Sequence, residues 1–368
     1  MKCIRCQKEC KYDERKDGKC PHCGGRFALE PRARDTLSDG LFEGAVKAVS
    51  SEGKVRWHLE NLYYEVCRKK PTPAINPQGC FRNCLSGWSG CGGIFALMLL
   101  SAGGDPSAGL LIGGAALGGG ILRLSVGSVE APVPRLFSRE TFNKEWSRWS
   151  EVHGTPPSMI AAPTRMPAEV LSALEGDLSD YSFDRAVICD LPRTADLLLA
   201  NNFHFENNCA VLTRDGYPSQ AFGPVRSMLR RNPRLKVWVL HDATVEGCRL
   251  AHELRQDPEW FCEGTTIIDV GLRPGNAQAL KKSWEPWAEK VPPHPALSEE
   301  EQRWLSKYTL ALAAIRPEQV IKRLFRSMSG SSESTWSDSG TGSSFFFVDS
   351  DSFSSDSGTS DGGGDSFG

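Results

Sequence analysis

From residue 183 onward, short apolar runs alternate along the chain with longer amphipathic stretches. The apolar runs cover residues 185–189, 209–213, 235–240 and 265–269, with helix-like segments between them. Short, nearly continuous apolar runs are typical of strands that are buried on both faces. When single helices join such strands, the pattern predicts a parallel sheet with helices on both sides. We therefore expect an α/β domain over residues 183–275.

Acidic residues follow three of the predicted strands. They are Asp190, Asp215 and Asp242, with Glu246 four residues further on. Ligands of parallel sheets bind beyond the carboxyl ends of the strands, where these side chains are expected to converge. Carboxylates at one edge repel each other unless a hard cation such as Mg²⁺ neutralises them. The alternative is that each Asp caps the following helix, and spacing alone slightly favours it.

Residues 35–70 carry two helical patterns separated by a short polar turn. In the first, apolar residues recur three and four positions apart from Leu41 to Val49. The second contains the adjacent pair Tyr63 and Tyr64. This order of helix, short extended piece and helix is typical of a winged-helix-like or helix-turn-helix module. Tyrosines in such helices usually belong to the core and its rim.

The stretch from 83 to 124 is apolar and rich in glycine. Between Arg82 and Arg123 the only charged residue is Asp105, and uncharged runs of 22 and 16 residues flank it. A bilayer core of about 30 Å needs about 20 helical residues. Basic residues outside both ends place both termini in the cytoplasm. The pattern favours a transmembrane hairpin at 83–122 and a membrane-associated protein; the alternative is a buried segment of a soluble cytoplasmic fold.

The N-terminal 30 residues contain two Cys-x-x-Cys pairs separated by thirteen residues. The pairs are Cys3 with Cys6 and Cys20 with Cys23. Four thiolates in this arrangement are typical of a tetrahedral zinc ribbon, so we expect a structural Zn²⁺ at residues 1–30. Cys10 and His22 are spare candidates for one of the four positions. Because all four positions of such a site are filled, the ribbon is expected to recognise a partner rather than to catalyse.

Charge divides the chain unequally. The net charge is −2, but residues 329–368 carry seven acids and no Lys or Arg, so the remainder has a positive balance of five. This Ser, Asp and Gly-rich tail contains too few apolar residues to form a core and is expected to be disordered. Residues 71–82 read as a linker, 125–182 as a helical connector and 276–328 as C-terminal helices.

A basic helix is predicted after the second strand. It carries Arg226, Arg230 and Arg231, which are candidates for contacts with nucleic-acid phosphates. A solvated helix face explains the same pattern nearly as well.

Two of these features together resemble a known family. Gly216-Tyr217-Pro218, a basic helix and a strand ending at Asp242 resemble the Toprim domain of the topoisomerase VI A subunit and its meiotic double-strand-break relatives. In that family a Gly-Tyr-Pro precedes a strand that ends in Asp-x-Asp-x-x-Gly. Asp242 matches the first Asp, Gly247 matches the Gly, and Asp190 falls where the family places its first acid.

The helical module lies in the family's order as well. There the motif Arg-Asp/Glu-Ile-Tyr-Tyr carries the tyrosine that attacks DNA, and Glu60-Asn61-Leu62-Tyr63-Tyr64 resembles it. The similar stretches, 37–70 and 183–270, cover roughly 120 residues.

The resemblance implies an activity, a set of site residues and partners. Tyr64 would be the catalytic nucleophile with Tyr63 beside it, and the substrate would be DNA. The Mg²⁺ ligands would be Asp190 and Asp242, with Glu246 or Asp215 as a substitute for the missing acid. A separate ATPase subunit is expected, because the chain has no Gly-x-x-x-x-Gly-Lys-Ser/Thr loop. A homodimer is expected as well.

The sequence departs from the family in three places. Thr244 stands where the second Asp belongs, Glu60 replaces the Arg that assists the tyrosine, and the apolar insertion at 83–122 has no counterpart. Two functions therefore stay open. One is Mg²⁺-dependent cleavage or binding of DNA; the other is a non-catalytic, membrane-tethered scaffold that uses the ribbon and a degenerate Toprim domain to recognise partners.

Overall fold

A four-stranded parallel sheet forms the centre of the structure, as the alternating pattern predicts. This computed structural model describes residues 1–15, 17–31, 35–70, 136–160, 183–232 and 234–330. The strands are β1 Arg185–Cys189, β2 Cys209–Thr213, β3 Lys236–Leu240 and β4 Thr266–Asp269, in the order β2-β1-β3-β4. All three pairings are parallel. The expected α/β core is therefore confirmed.

Helices begin where capping residues and prolines allow them to begin. Those within the described residues are α1 Asp39–Val49, α2 Leu59–Lys69, α3 Arg139–His153, α4 Pro192–Ala200, α5 Phe203–Glu206, α6 Ser219–Arg231, α7 Val245–Gln256, α8 Pro274–Ala277, α9 Glu299–Leu305 and α10 Pro317–Ser329. Pro192 and Pro317 open their helices, because proline lacks only an N–H that the first turn leaves unpaired. Ser298 and Glu301 form a capping box at the start of α9.

The two faces of the sheet are covered by different elements. Ala186, Ile188, Val237 and Val239 share one face, since side chains alternate along a strand, and they pack in one cluster with residues of α6 and α7. Trp238 points to the other face, where its indole N–H donates to Ser327 Oγ of α10 at 2.9 Å. The sheet is thus buried on both sides.

Helices α1, α2 and α3 join through an aromatic cluster. The Phe42 ring lies within 6 Å of the rings of Phe142, Trp146 and Trp149, all on α3. The two helices predicted for residues 35–70 are present. Residues 35–70 contain no strand pair that would form a wing. Ser51, Glu52 and Gly53 join the two helices through a tight turn with positive φ. Within that range only Trp57 forms a β-bridge, and its partner is Met159.

After the sheet, the chain forms a short hairpin beside the other helices. Strand β5 (Glu285–Pro286) pairs antiparallel with β6 (Tyr308–Thr309). A further bridge, Ala243 to Leu310, ties this region to the end of β3.

The described helices include none with both the length and the apolar character that a bilayer crossing requires. The predicted hairpin at 83–122, the linker at 71–82 and most of the 125–182 connector lie outside the described residues, as does the tail beyond residue 330.

Candidate functional site

The four predicted zinc ligands form one compact cluster. Their sulfur atoms all lie within 4.8 Å of one another, and the Cys3–Cys23 and Cys6–Cys20 Sγ pairs are both 3.7 Å apart. Four sulfurs about 2.3 Å from a central zinc define a tetrahedron with edges of about 3.8 Å. The residues therefore fit a tetrahedral metal ion.

The two Cys-x-x-Cys pairs lie in two separate backbone turns that have the same conformation. The amide of Gln7 donates to Cys3 O, and seventeen residues later Gly24 donates to Cys20 O, both at 2.9 Å. Gln7 and Gly24 share a positive φ near 60–70°. Cys10 takes the position in the first turn that Phe27 takes in the second, and its Sγ lies 3.5 Å from that of Cys20.

Buried carboxylates hold this ribbon against the helices. Asp39, fully buried at the start of α1, accepts hydrogen bonds from the Ala28 and Leu29 amides at 3.0 Å each and contacts the His153 ring at 3.0 Å. Glu145 of α3 accepts in the same way from two amides just before α1. Asp39 thus fixes the end of the ribbon to α1, and Glu145 fixes the segment that follows the ribbon to α3.

The carboxyl edge of the sheet brings Asp190 and Asp242 together. Cys189 pairs with Leu240, so the residues that follow these two strands are neighbours. The Asp242 amide donates to Asp190 Oδ2 at 2.7 Å. The other oxygen, Asp190 Oδ1, is buried and has no partner among the described residues. Burial, reinforced by the Asp242 carboxylate, raises the pKa of Asp190 to about 7.

Asp242 is neutralised by an arginine. Its Oδ2 accepts from the Arg193 guanidinium at 2.7 Å, and its Oδ1 accepts from the Leu312 amide at 2.8 Å. Burial alone would lower the pKa of Arg193, but Asp242 and then Glu60 raise it. Arg193 therefore stays cationic beside Asp242.

A continuous series of polar side chains links this pair to Tyr64. Arg193 also binds Glu60 at 2.8 Å, and Glu60 lies 3.4 Å from Arg139. Arg139 binds Glu285 at 2.6 Å, and Glu285 accepts a hydrogen bond from the Tyr64 hydroxyl at 2.7 Å. The tyrosine and the acids that the resemblance singles out thus lie at two ends of one network.

Neither tyrosine is presented as a nucleophile. Tyr64 is 0% exposed and Tyr63 is 3% exposed, and the Tyr63 hydroxyl donates to Phe137 O at 2.7 Å. Burial, followed by the Glu285 charge, raises the pKa of Tyr64 well above its usual value. Tyr64 therefore stays protonated and hydrogen-bonded, as is usual for a tyrosine in the core of a helical module.

The acids at the edge of the sheet do not fit Mg²⁺ as they lie. Mg²⁺ requires six oxygen ligands in octahedral geometry, usually including several waters. Both oxygens of Asp242 are already used, and the cation beside it is Arg193. Among the described residues, the cysteines are the one group of three or more side chains arranged to hold a metal. Nothing described supports the predicted Mg²⁺.

The remaining predicted ligands lie apart from this pair. Glu246 and Asp215 are both exposed, and no contact joins either to Asp190 or Asp242. Thr244, at the position of the missing Asp, caps α7 by accepting from the Gly247 amide at 3.0 Å. Gly247 is required because a Cβ there would lie 2.4 Å from the Asp242 carbonyl oxygen.

His241 adds a buried positive charge behind the acids. Its Nδ1 lies 2.7 Å from the Asp242 carbonyl oxygen and its Nε2 lies 2.9 Å from Asp269 Oδ1. Both partners are acceptors, so both ring nitrogens must carry protons. Burial alone would lower the pKa of His241, but Asp269 raises it above its usual value. Arg273 also binds Asp269 at 2.6 Å.

The basic side chains of α6 point away from these acids along the strands. Because α6 returns from the carboxyl ends of the strands to their amino ends, Arg230 and Arg231 reach the opposite edge of the sheet. Arg230 lies 3.4 Å from Glu259, and Arg226 packs 5.5 Å over the Phe222 ring. The candidate nucleic-acid contacts and the acids thus lie at opposite edges.

Sequence reasoning missed three of the four residues that connect the network. Arg193 lies three residues after Asp190, at the carboxyl end of β1, so its position beyond a strand was an available signal. Arg139 and Glu285 carry no such signal, because their contacts join segments 75 to 221 residues apart in sequence.

No family model, curated protein or solved structure matches this chain.

Proposed function

We propose that this chain is a zinc-ribbon protein with a Toprim-like α/β domain that binds nucleic acid without cleaving it. The observation that carries the proposal is the Arg193–Asp242 ion pair at the carboxyl edge of the sheet. A guanidinium supplies there the positive charge that a metal supplies in an active Toprim site. The buried hydroxyl of Tyr64, bonded to Glu285, supports the same conclusion.

Zinc is the metal we propose for the cysteine cluster. Four thiolates at tetrahedral spacing are typical of structural zinc, and a ribbon of this size cannot bury a core of its own. The metal's role is then to fold residues 1–30 and to hold the ribbon on α1 and α3.

The proposed nucleic-acid surface is the outer side of α6 and the adjoining amino edge of the sheet. The predicted contacts are Arg226, Arg230 and Arg231. Arg231 is exposed, and none of its contacts within the described residues is with an acid. Such cations contribute binding that is independent of base sequence and sensitive to salt.

The test is binding of a labelled duplex DNA by the full chain, measured by fluorescence anisotropy at several salt concentrations. The variant Arg226→Glu with Arg231→Glu should bind more weakly, and its salt dependence should fall by about one unit of slope per lost phosphate contact. The control is Lys282→Glu with Lys290→Glu, which makes the same change of charge at exposed positions elsewhere.

Supercoiled plasmid incubated with Mg²⁺ completes the test. Binding without nicking is the expected result. Nicking that disappears in Tyr64→Phe would instead support the Mg²⁺-dependent enzyme, and absence of binding would support the scaffold.

The scaffold is the second candidate, and one feature favours it. A cleft of about 520 Å³ lies between the ribbon and helices α1 and α3, with the exposed Arg5 and Arg26 on its wall. Because Asp39, Arg148 and Glu151 line it as well, the cleft carries charges of both signs and suits a polar partner. A membrane tether at 83–122, an ATPase partner and a homodimer stay predictions; a carbonate wash of cell membranes tests the first of them.

A further inference from the structure

Helix α10 carries a basic face on the side that the core does not use. Pro317, Val320, Leu324 and Met328 are buried at three- and four-residue spacing, which fixes the inner side of the helix. Lys322, Phe325 and Arg326 lie on the outer side and are exposed, Phe325 by 51%. Phe325 thus lies exposed between two cations on the outer side of the helix.

A groove runs between this face and the end of α1. Its volume is about 380 Å³, and the charged residues on its walls are Lys47, Glu52, Arg316, Glu318, Lys322, Arg323 and Arg326. Five of these seven charges are positive. Lys322 is bound to Glu318 at 2.6 Å and Lys47 to Glu43 at 2.9 Å. Arg326 has no acidic partner among the described residues, so the groove keeps an excess of positive charge.

Contacts at both ends fix the position of α10, so the groove is part of the folded structure. Arg316 binds the buried Glu65 of α2 at 3.0 Å, and Ser51 at the end of α1 donates to Glu318. At the other end, Ser327 accepts from Trp238 of the sheet. These contacts hold the cations in place without help from a ligand.

The segment that follows α10 has the complementary chemistry. Residues 331–368 contain seven acids, no Lys or Arg, and the run Phe345-Phe346-Phe347. Gly330 ends the helix with a φ of 62°, about one helical turn after Arg326 on the groove wall, and the segment follows it in sequence. Thirty-eight residues extend up to about 125 Å, whereas a 13-residue helix is only about 20 Å long. The segment is therefore long enough to reach every part of the groove.

We infer that the acidic C-terminal segment, residues 331–368, binds the groove between α1 and α10 of its own chain. Its carboxylates pair with Lys322, Arg326 and the neighbouring cations, and its phenylalanines cover Phe325. A tethered ligand is present at an effective concentration in the millimolar range, so weak individual contacts suffice. This contact is independent of the nucleic-acid surface on α6.

Photo-crosslinking in the full chain tests the inference. p-Benzoylphenylalanine replaces Phe346, and mass spectrometry locates the crosslinks after irradiation. Crosslinks to residues 47–52 and 316–326 are expected, within one molecule rather than between two. Their yield should fall roughly threefold or more in 1 M salt, where the Debye length is about 3 Å. The same fall is expected in the variant Lys322→Glu with Arg326→Glu.

Two controls keep the test sharp. The variant Lys282→Glu with Lys290→Glu should leave the crosslinks unchanged, and the photoreactive residue at Phe205, which is 82% exposed on α5, should not label the groove. Circular dichroism of each variant establishes that it is folded. Crosslinks to other surfaces or between two copies would overturn the inference, as would a yield that salt does not change. It would also fail if the groove variant lost DNA affinity while the tail made no crosslinks, because the groove would then be a nucleic-acid site.

Discussion

Asp242 and Asp190 differ in the partners of their carboxylate oxygens. Asp242 has a guanidinium on one oxygen and an amide on the other, whereas Asp190 has one amide and one buried oxygen without a partner. Burial still raises the pKa of Asp242 above its usual value, although Arg193 offsets part of that effect, and Asp190 takes up a proton near neutral pH. Above that pH the ionised, buried carboxylate lowers the free energy of unfolding.

We predict that Asp190→Asn stabilises the protein at pH 8. The pKa of Asp190 rises to about 7 on folding, so the folded state binds the proton more tightly than the unfolded state. This group's contribution to stability therefore declines as the pH rises from about 4 to about 7 and is constant above. Asparagine keeps the acceptor for the Asp242 amide and carries no charge. Urea unfolding of wild type and variant at pH 5 and pH 8 measures the difference.

The expected difference between variant and wild type is larger at pH 8 than at pH 5. Asp190→Ala is the control, since it removes the acceptor and should destabilise the protein at both pH values. The account would be contradicted if the stability gained by Asp190→Asn over wild type were smaller at pH 8 than at pH 5.

At the residue scale, sequence reasoning identified the ends of the network but not its middle. Asp190, Asp242 and Tyr64 were predicted from strand ends and a motif, and all three lie in one network. Arg193 was missed because a basic residue after a strand has many ordinary roles. Glu246 was expected among the ligands, but α7 carries it to the surface.

At the scale of elements, the start of α7 shows why the motif spacing matters. Thr244 caps the helix and Gly247 lies against the Asp242 carbonyl, so the turn between β3 and α7 is tightly packed. This geometry holds Asp242 at the edge of the sheet regardless of any metal.

We predict that Gly247→Ala destabilises the protein by about 1–3 kcal/mol, because the new methyl group forces the turn to shift. Gly223→Ala in α6 is the matched control, since a Cβ there meets nothing within 4 Å and alanine favours a helix. Chemical denaturation of both variants measures the effect. Equal stability of the two would contradict the close approach at Gly247.

The ribbon gives a second prediction at this scale. If zinc binds the four cysteines as we propose, it supplies folding energy to the ribbon, so chelation should increase amide hydrogen exchange in residues 1–30. Exchange in β1 and β3 should change little, because the sheet has its own core. The cysteine variant Cys20→Ser should reproduce the chelated pattern, whereas Cys262→Ser, which alters a cysteine outside the ribbon, should not. Loss of protection across the sheet would show that the ribbon is needed for the whole fold.

Elements were easier to predict than their contacts. The strands and the first two helices follow from periodicity, which depends on neighbouring residues. The absence of a wing in residues 35–70 depends on a tight turn at Ser51–Gly53, and the docking of the ribbon depends on a carboxylate, Asp39, that the sequence alone gives no reason to single out.

At the scale of the whole molecule, the charge of Asp242 at the edge of the sheet is compensated without a divalent cation. Arg193 occupies the place of the charge that Mg²⁺ would supply, and the polar network from Asp242 to Tyr64 is closed. Under the proposed function, nucleic acid therefore binds the surface of α6 rather than this edge.

Thermal unfolding of the full, zinc-loaded chain with and without Mg²⁺ tests this claim most directly. A ligand at one hundred times its Kd adds about 2.7 kcal/mol, which raises the midpoint by roughly 3–4 °C for a chain of this size. The account predicts no such rise in the wild type at millimolar Mg²⁺. A saturable rise of several degrees that Asp242→Asn abolishes would contradict it.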